Sequence, residues 1–435
     1  MRQKLLRDGA SELTYEIRGI VKKAEEIEAL GYSILWENIG DPIQKNHKLP
    51  EWMKDIIAGL LYEDATYGYS HSKGVLTTRK FLADLNNKRG GTQIDAQDIT
   101  FFNGLGDAIQ KVYQYLLPTS RVIGPSPAYS THSSAEAAHA NHEPITYKLD
   151  PDNSWYPDMD DLRQKVKYNP SIVGILIINP DNPTGMVYPK AILEQMVAIA
   201  KEFDLFLICD EIYMNIVYNG AKTCTLAEVI GDVPAISLKG ISKEFPWPGA
   251  RCGWAEYYNR KADKDFAKLC DTIDNAKMIE VSSTKLPQLA IPQIMQDERY
   301  FDFIEETKAK IGRRSAYLNE VFKDVPYVKF NQTNGAFYNT MIFEPGAINA
   351  NQSLKIEDPK VREKLAEWLT GPNMTLDKRF VYYLLAAKNV CIVPISSFSS
   401  DLLGFRLTLL EENEEILKET FMRIKAGVME YCESV

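Results

Sequence analysis

A chain of 435 residues, 45% hydrophobic and 25% charged, has the length for two or three cored domains and an ordinary globular composition, which excludes a stapled miniprotein and an intrinsically disordered chain. Its net charge of −9, with Lys and Arg scattered along the chain, excludes nucleic acid or an anionic membrane as the main partner. Cys209, Cys224, Cys252, Cys270, Cys391 and Cys432 form no CxxC pair and no zinc-spaced cluster with histidine, so no metal is expected and the thiols read as reduced.

Taken in order, residues 17–30 read as a charged amphipathic helix stopped by Gly31, and "ILWENIGDP" as an apolar segment broken at Gly40 and Pro42. The opening "MRQKLLRDGA" lacks the apolar core of a secretion signal, and no apolar run reaches the roughly 20 residues that span a bilayer, so a cytoplasmic protein is expected. From Pro50 the pattern alternates. Helices "EWMKDIIAGLLYE" and "LTTRKFLADLNNKRG" precede strand "DITFF", helix "DAIQKVYQYLL" and strands "RVIGP" and "SIVGILII"; helix "KAILEQMVAIAKEFD" and strands "LFLICDE" and "AISLKG" follow. Short apolar strands alternating with helices predict an α/β unit around a mainly parallel, buried sheet.

Beyond a long charged helix over 298–322, the strands "YVKF", "GAFYNTMIF", "CIVPIS" and "GFRLTLL" and the closing helix "EEILKETFMRIKAGVMEY" predict a smaller α+β unit. The expected division is a large domain over 46–310 and a small one from 1–45 and 311–435. Residues 345–378, rich in Asn, Pro, Gly and charge with a helical piece near 361–369, read as an insertion or lid.

Chemistry concentrates in loops that follow strands, which converge at the carboxyl ends of a parallel sheet. "NGLGDAIQ" turns from strand into helix and offers free backbone amides to an anion; the plainer reading is a strand-to-helix turn with Asp107 as an N-terminal charge. Tyr129 in "PSPAYS" could stack on a planar ring or be ordinary core. Asn182 in "NPDNPTG" is an amide on rigid backbone, or part of a structured turn. Asp210 ends the apolar strand "LFLICDE", a costly place for a carboxylate without a cationic partner, and Tyr213 lies three residues on. In "SLKGISKEFPWPGARCGW", Lys243 and Arg251 supply an amine and a guanidinium on either side of a Pro-Gly bend. One ligand accounts for all six features: pyridoxal 5′-phosphate, whose phosphate, ring nitrogen, ring oxygen and aldehyde require an anion cradle, a carboxylate, hydrogen-bond donors and a lysine. A dinucleotide site is disfavoured, because the third glycine of the fingerprint is missing after Gly104 and Gly106.

With "YEIRGIVKKAEEIEALGYSILWENIGDP", "YGYSHSKG", "IINPDNPTG", "DEIY" and "GISK" followed by "PGARCGW", the chain resembles the class I aminotransferases of pyridoxal-phosphate fold type I, from about Tyr15 onward. Within them it is most similar to bacterial alanine (glutamate–pyruvate) transaminases. The resemblance implies a large domain built on a mainly parallel seven-stranded sheet with a smaller α+β domain, and amino transfer between an L-amino acid and a 2-oxo acid, read as the glutamate–pyruvate pair. It leaves aspartate or aromatic transamination, or a β-lyase or decarboxylase on the same fold, as alternatives. It implies that Lys243 bonds to the cofactor aldehyde and shuttles the proton, that Asp210 pairs with the ring nitrogen, and that Asn182 and Tyr213 bond the ring oxygen. Tyr129 would stack on the ring. Arg251, Ser242 and the amides of Leu105, Gly106 and Asp107 would hold the phosphate, joined by Tyr69 from the neighbouring subunit of a homodimer. Arg406 would clamp the substrate α-carboxylate under the backbone of Gly40. Arg18 is the candidate for a side-chain carboxylate, its plainer reading being an exposed helix arginine. Two departures stand out: Gly240 where many members carry serine, and the extra Pro246.

Overall fold

The computed structural model describes residues 5–6, 8–13, 17–371 and 373–434; Tyr15, where the resemblance begins, and Pro372, inside the expected lid, lie outside them. Among the described residues the strands form one eight-stranded sheet, one four-stranded sheet and a two-stranded ladder. The large sheet consists of β1 (Ile99–Phe102), β2 (Arg121–Ser126), β3 (Thr146–Asp150), β4 (Tyr156–Pro157), β5 (Ile172–Ile178), β6 (Phe206–Asp210), β7 (Ala235–Gly240) and β8 (Gly253–Tyr258), in spatial order β1-β8-β7-β6-β5-β2-β3-β4. Strands β3, β2, β5, β6 and β7 run parallel, while β8 pairs antiparallel with both β7 and β1.

The sheet is buried on both faces because its strands are apolar at odd and even positions alike. In β5, Ile175 and Ile177 enter one cluster with Leu207 and Cys209, while Leu176 and Ile178 enter the opposite one with Ile208 and Leu238. The side-chain period of two thus feeds two cores. The sheet has one strand more than the seven expected: β4, a two-residue edge strand that the short "YP" hides from any pattern count. Strands β3 and β8 and helices Ser130–Ala140 and Met159–Tyr168 also escape the apolar-run reading, because their residues are mixed in polarity and only tertiary packing buries them.

A third cluster gathers Ile20, Ala24 and Ile27 of the first helix with residues from 311 onward, including Phe343, Phe380, Phe405 and Phe421. Here strands Val328–Phe330, Tyr338–Phe343, Gly404–Thr408 and Val393–Pro394 form the antiparallel four-stranded sheet. The segment read as an insertion or lid is built into this core. Helix Pro359–Leu369 buries Val361, Leu365 and Trp368, spaced for one helical face, and the Trp368 indole donates to Glu26 at 3.3 Å. None of the described helices is long and apolar enough to cross a membrane.

Candidate active site

The carboxyl ends of β5, β6 and β7 face the small sheet across a cleft of about 760 Å³. Of the residues picked from sequence, all line it except Asp107 and Tyr69. Asp107 turns its carboxylate back to accept from the Asn103 N–H at 3.0 Å and to pair with Lys277 and Lys111. Burial works against its charge, but those partners win and hold its carboxyl below the usual range. Tyr69 lies outside the cleft, 83% exposed. No described residue of 345–378 lines the cleft.

Lys243 follows β7 in a loop anchored by the buried Ile241 and Phe245. Its amine donates to the Gly40 carbonyl at 2.6 Å. Burial pushes the amine down to about 8; Asp41 and Asp210 pull it up, and Arg406 and Arg251 push it further down. A lysine in this state reaches its neutral, nucleophilic form near physiological pH.

Asp210 ends β6 and is 3% exposed. Its costly burial is offset by the His132 Nε2–H at 3.0 Å and by the Ile212 backbone N–H at 3.1 Å. His132 escaped the sequence reading. It lies on helix Ser130–Ala140, three residues past Tyr129, and the Tyr129 ring meets its imidazole edge-on at 6.4 Å. That spacing of three in a helix was the available signal.

At the other end, helix Leu105–Gln114 begins two residues before the expected Asp107, with Gly104 as its N-cap at φ +86°. Only glycine takes this backbone at low cost, and a Cβ there would come within 2.6 Å of Arg251 Nη2. The helix end and the guanidinium therefore form one positive cradle, with Ser242 beside it in the cleft lining.

Arg406 comes from the small sheet. Its guanidinium lies over the Tyr338 ring at 4.5 Å and the Phe398 ring at 5.0 Å, donates to Asn182 Oδ1 at 3.2 Å, and is bonded to the Asn38 carbonyl. Its Nε and both amide atoms of Asn38 are buried with no partner among the described residues. Tyr213 places its hydroxyl 2.9 Å from that of Tyr338, a residue of the small sheet that no local pattern points to. A Cβ on Gly40 would run into the same Tyr338 hydroxyl, so the segment between the first helix and the large sheet needs a glycine there. Arg18 sits exposed at the mouth of the cleft, beside Lys22 and Glu25. Elsewhere a broader groove has Lys73, Arg260, Asp271 and Asp274 on its lining, and these four pair with one another.

The sequence profile described as aminotransferase class I and II matches residues 35–419. An uncharacterized aminotransferase of Methanocaldococcus jannaschii is 53% identical over 434 residues, covering 100% of both chains. The glutamate–pyruvate aminotransferase AlaA of Escherichia coli is 35% identical over 243 residues, a match that spans 55% of this chain and 58% of that protein. Among solved structures, the alanine aminotransferase from Pyrococcus furiosus matches with a TM-score of 0.84 at 26% identity, covering 98% of this chain and 100% of that one. The aspartate aminotransferase from Thermus thermophilus with maleate matches at 0.79 and 22% identity over 98% of this chain and 100% of that one, a likeness of fold. With the family profile matched over most of its length, this chain belongs to the class I and II aminotransferases and is an enzyme of amino-group transfer.

Proposed function

We propose that the cleft performs amino transfer with pyridoxal 5′-phosphate, between an L-amino acid and a 2-oxo acid of the glutamate–pyruvate (alanine) type. The observation that carries this reading is the pairing, in one cleft, of an amine lowered to about 8 with a buried carboxylate held by an imidazole. The donor set suits the cofactor: a positive helix end with Arg251, the amine of Lys243 and the carboxylate of Asp210 all line the one cleft. Arg251, Ser242 and the N–H groups of Leu105, Gly106 and Asp107 would hold the phosphate. Asp210 would face the ring nitrogen, Asn182 and Tyr213 the ring oxygen, Tyr129 the ring face, and Lys243 the aldehyde carbon. When bound, the group supplies an electron sink for the pair left as the substrate Cα–H bond breaks.

The chain's residues supply the rest. Lys243 Nζ takes the Cα proton, because burial leaves it neutral at a pH where an exposed lysine would be charged. Asp210 stays placed because His132 and the Ile212 N–H hold both of its oxygens. Arg406 would bind the substrate carboxylate through its guanidinium, while the Tyr338 and Phe398 rings and its bonds to Asn182 and Asn38 keep it from swinging away. Relatives named glutamate–pyruvate and alanine aminotransferases support that substrate pair, and Arg18 at the mouth offers a cation to a second carboxylate.

A homodimer belongs to the same reading. Tyr62, Tyr67 and Tyr69 are 90%, 72% and 83% exposed on a segment tied to the next flank by the Lys285 amine on the Ala65 carbonyl. Large exposed aromatics of this kind fit an interface between copies, with Tyr69 reaching the partner's phosphate cradle. A cytoplasmic location is proposed with it. The test is a half-reaction titration of the cofactor-loaded protein with single amino acids. Conversion of the cofactor to its amine form by alanine and glutamate, with little by aspartate or tyrosine, is expected. Fast conversion by aspartate or tyrosine would move the substrate class, and ammonia release without conversion would point to a lyase.

A further inference from the structure

Glu244 follows Lys243 directly, yet it faces away from the cleft. It lines a small cavity of about 230 Å³ behind the lysine and is 7% exposed. One carboxyl oxygen, Oε2, accepts from Asn215 Nδ2 at 2.8 Å; the other, Oε1, is buried with no partner among the described residues. None of the described cations forms an ion pair with it. Burial pushes this carboxyl up to about 7; the Asn215 bond and the charges of Arg89 and Lys308 pull the other way. A carboxyl in such a place costs more than a methionine or leucine of the same volume, so filling space does not account for it.

What the carboxyl does is join two loops. Asn215 belongs to the loop after β6, which also carries Tyr213, and Glu244 to the loop after β7, which carries Lys243. On its far side the Asn215 amide oxygen accepts from Arg89 Nη2 at 3.4 Å, so the bridge is itself backed by helix Leu76–Arg89. We propose that the Glu244–Asn215 hydrogen bond is a positioning clamp that fixes the Lys243 loop against the Tyr213 loop, and so sets the amine relative to the cofactor. The clamp needs a hydrogen-bond acceptor at position 244 and no charge, so a glutamine can serve in place of the acid. This rests on the reading of Lys243 as the cofactor-bonding amine.

The test compares Glu244→Gln, Glu244→Met and Asn215→Ala with the wild-type holoenzyme, by the visible circular dichroism of bound pyridoxal 5′-phosphate and by kcat and KM for alanine. Glu244→Met and Asn215→Ala are expected to lose most of the visible dichroism and about tenfold in kcat, with KM unchanged. Glu244→Gln is expected to keep both. Wild-type dichroism and kcat in a folded Glu244→Met protein would overturn the clamp, as would a Glu244→Gln variant no better than Glu244→Met. If Glu244→Met does not fold, Asn215→Ala at the half-buried partner decides by the same readings. Failure of the underlying reading looks different: the wild type would show no visible band, or Lys243→Ala would keep it.

Discussion

At the scale of single residues, burial sets the chemistry of the cleft. Lys243 in the folded chain releases its proton near 8, against an ordinary 10.5, so between those values the unfolded chain binds a proton that the folded chain does not. Stability of the cofactor-free protein therefore gains a contribution as pH rises through that window. Lys243→Met is expected to be more stable than wild type at pH 7, with the advantage shrinking as pH approaches 10.5; parallel stability curves from urea titrations would refute it. His132 acts on the carboxylate beside it. His132→Leu removes a hydrogen bond to a buried acid, about 1.5–3 kcal/mol, and is expected to weaken pyridoxal 5′-phosphate binding by roughly one to two decades in equilibrium dialysis. Lys243 and Asp210 are legible from the sequence because a charged residue at the end of an apolar strand is locally anomalous. His132 shows only its spacing of three from Tyr129, and Asn38 not even that, since nothing in its neighbourhood distinguishes a buried polar group from an exposed one.

At the scale of elements, the anion cradle depends on how one helix starts. Gly104 adopts a backbone region that costs other residues about 1–3 kcal/mol, and Gly104→Ala also drives a methyl into the Arg251 guanidinium. The substitution is expected to lower unfolding free energy by about that amount and to weaken binding of pyridoxal 5′-phosphate more than that of phosphate-free pyridoxal. Equal weakening of both would show that the cradle does not read the phosphate. The strand-loop-helix order was readable because glycines interrupt an apolar run just before a helical period. The start at Leu105 was not, because Asp107 looks like a helix-starting charge while in the structure it folds back on Asn103.

At the scale of the whole molecule, the strap between the first helix and the large sheet is held against the small sheet by Lys45, which bonds Glu37 at 2.8 Å and Glu411 at 3.1 Å, all three 6% exposed or less. Lys45→Met leaves two buried carboxylates without their cation and is expected to cost about 3–5 kcal/mol in urea unfolding. Because Asn38 and Gly40 ride on this strap, KM for the amino donor is expected to rise with it; a stability loss with unchanged KM would separate the strap from the substrate site. By itself the sequence determined the alternation of strands and helices, the cofactor-type residues on loops after strands, and the net acidic charge, because each is written in local order and composition. Only the tertiary structure decided that helix 359–369 buries one face in a core, that a short eighth strand lies at the sheet edge, and that His132, Asn38, Tyr338 and Glu244 stand around the site. These contacts join residues up to hundreds of positions apart, and a chain's local pattern carries no information about which distant surfaces its folding will bring together.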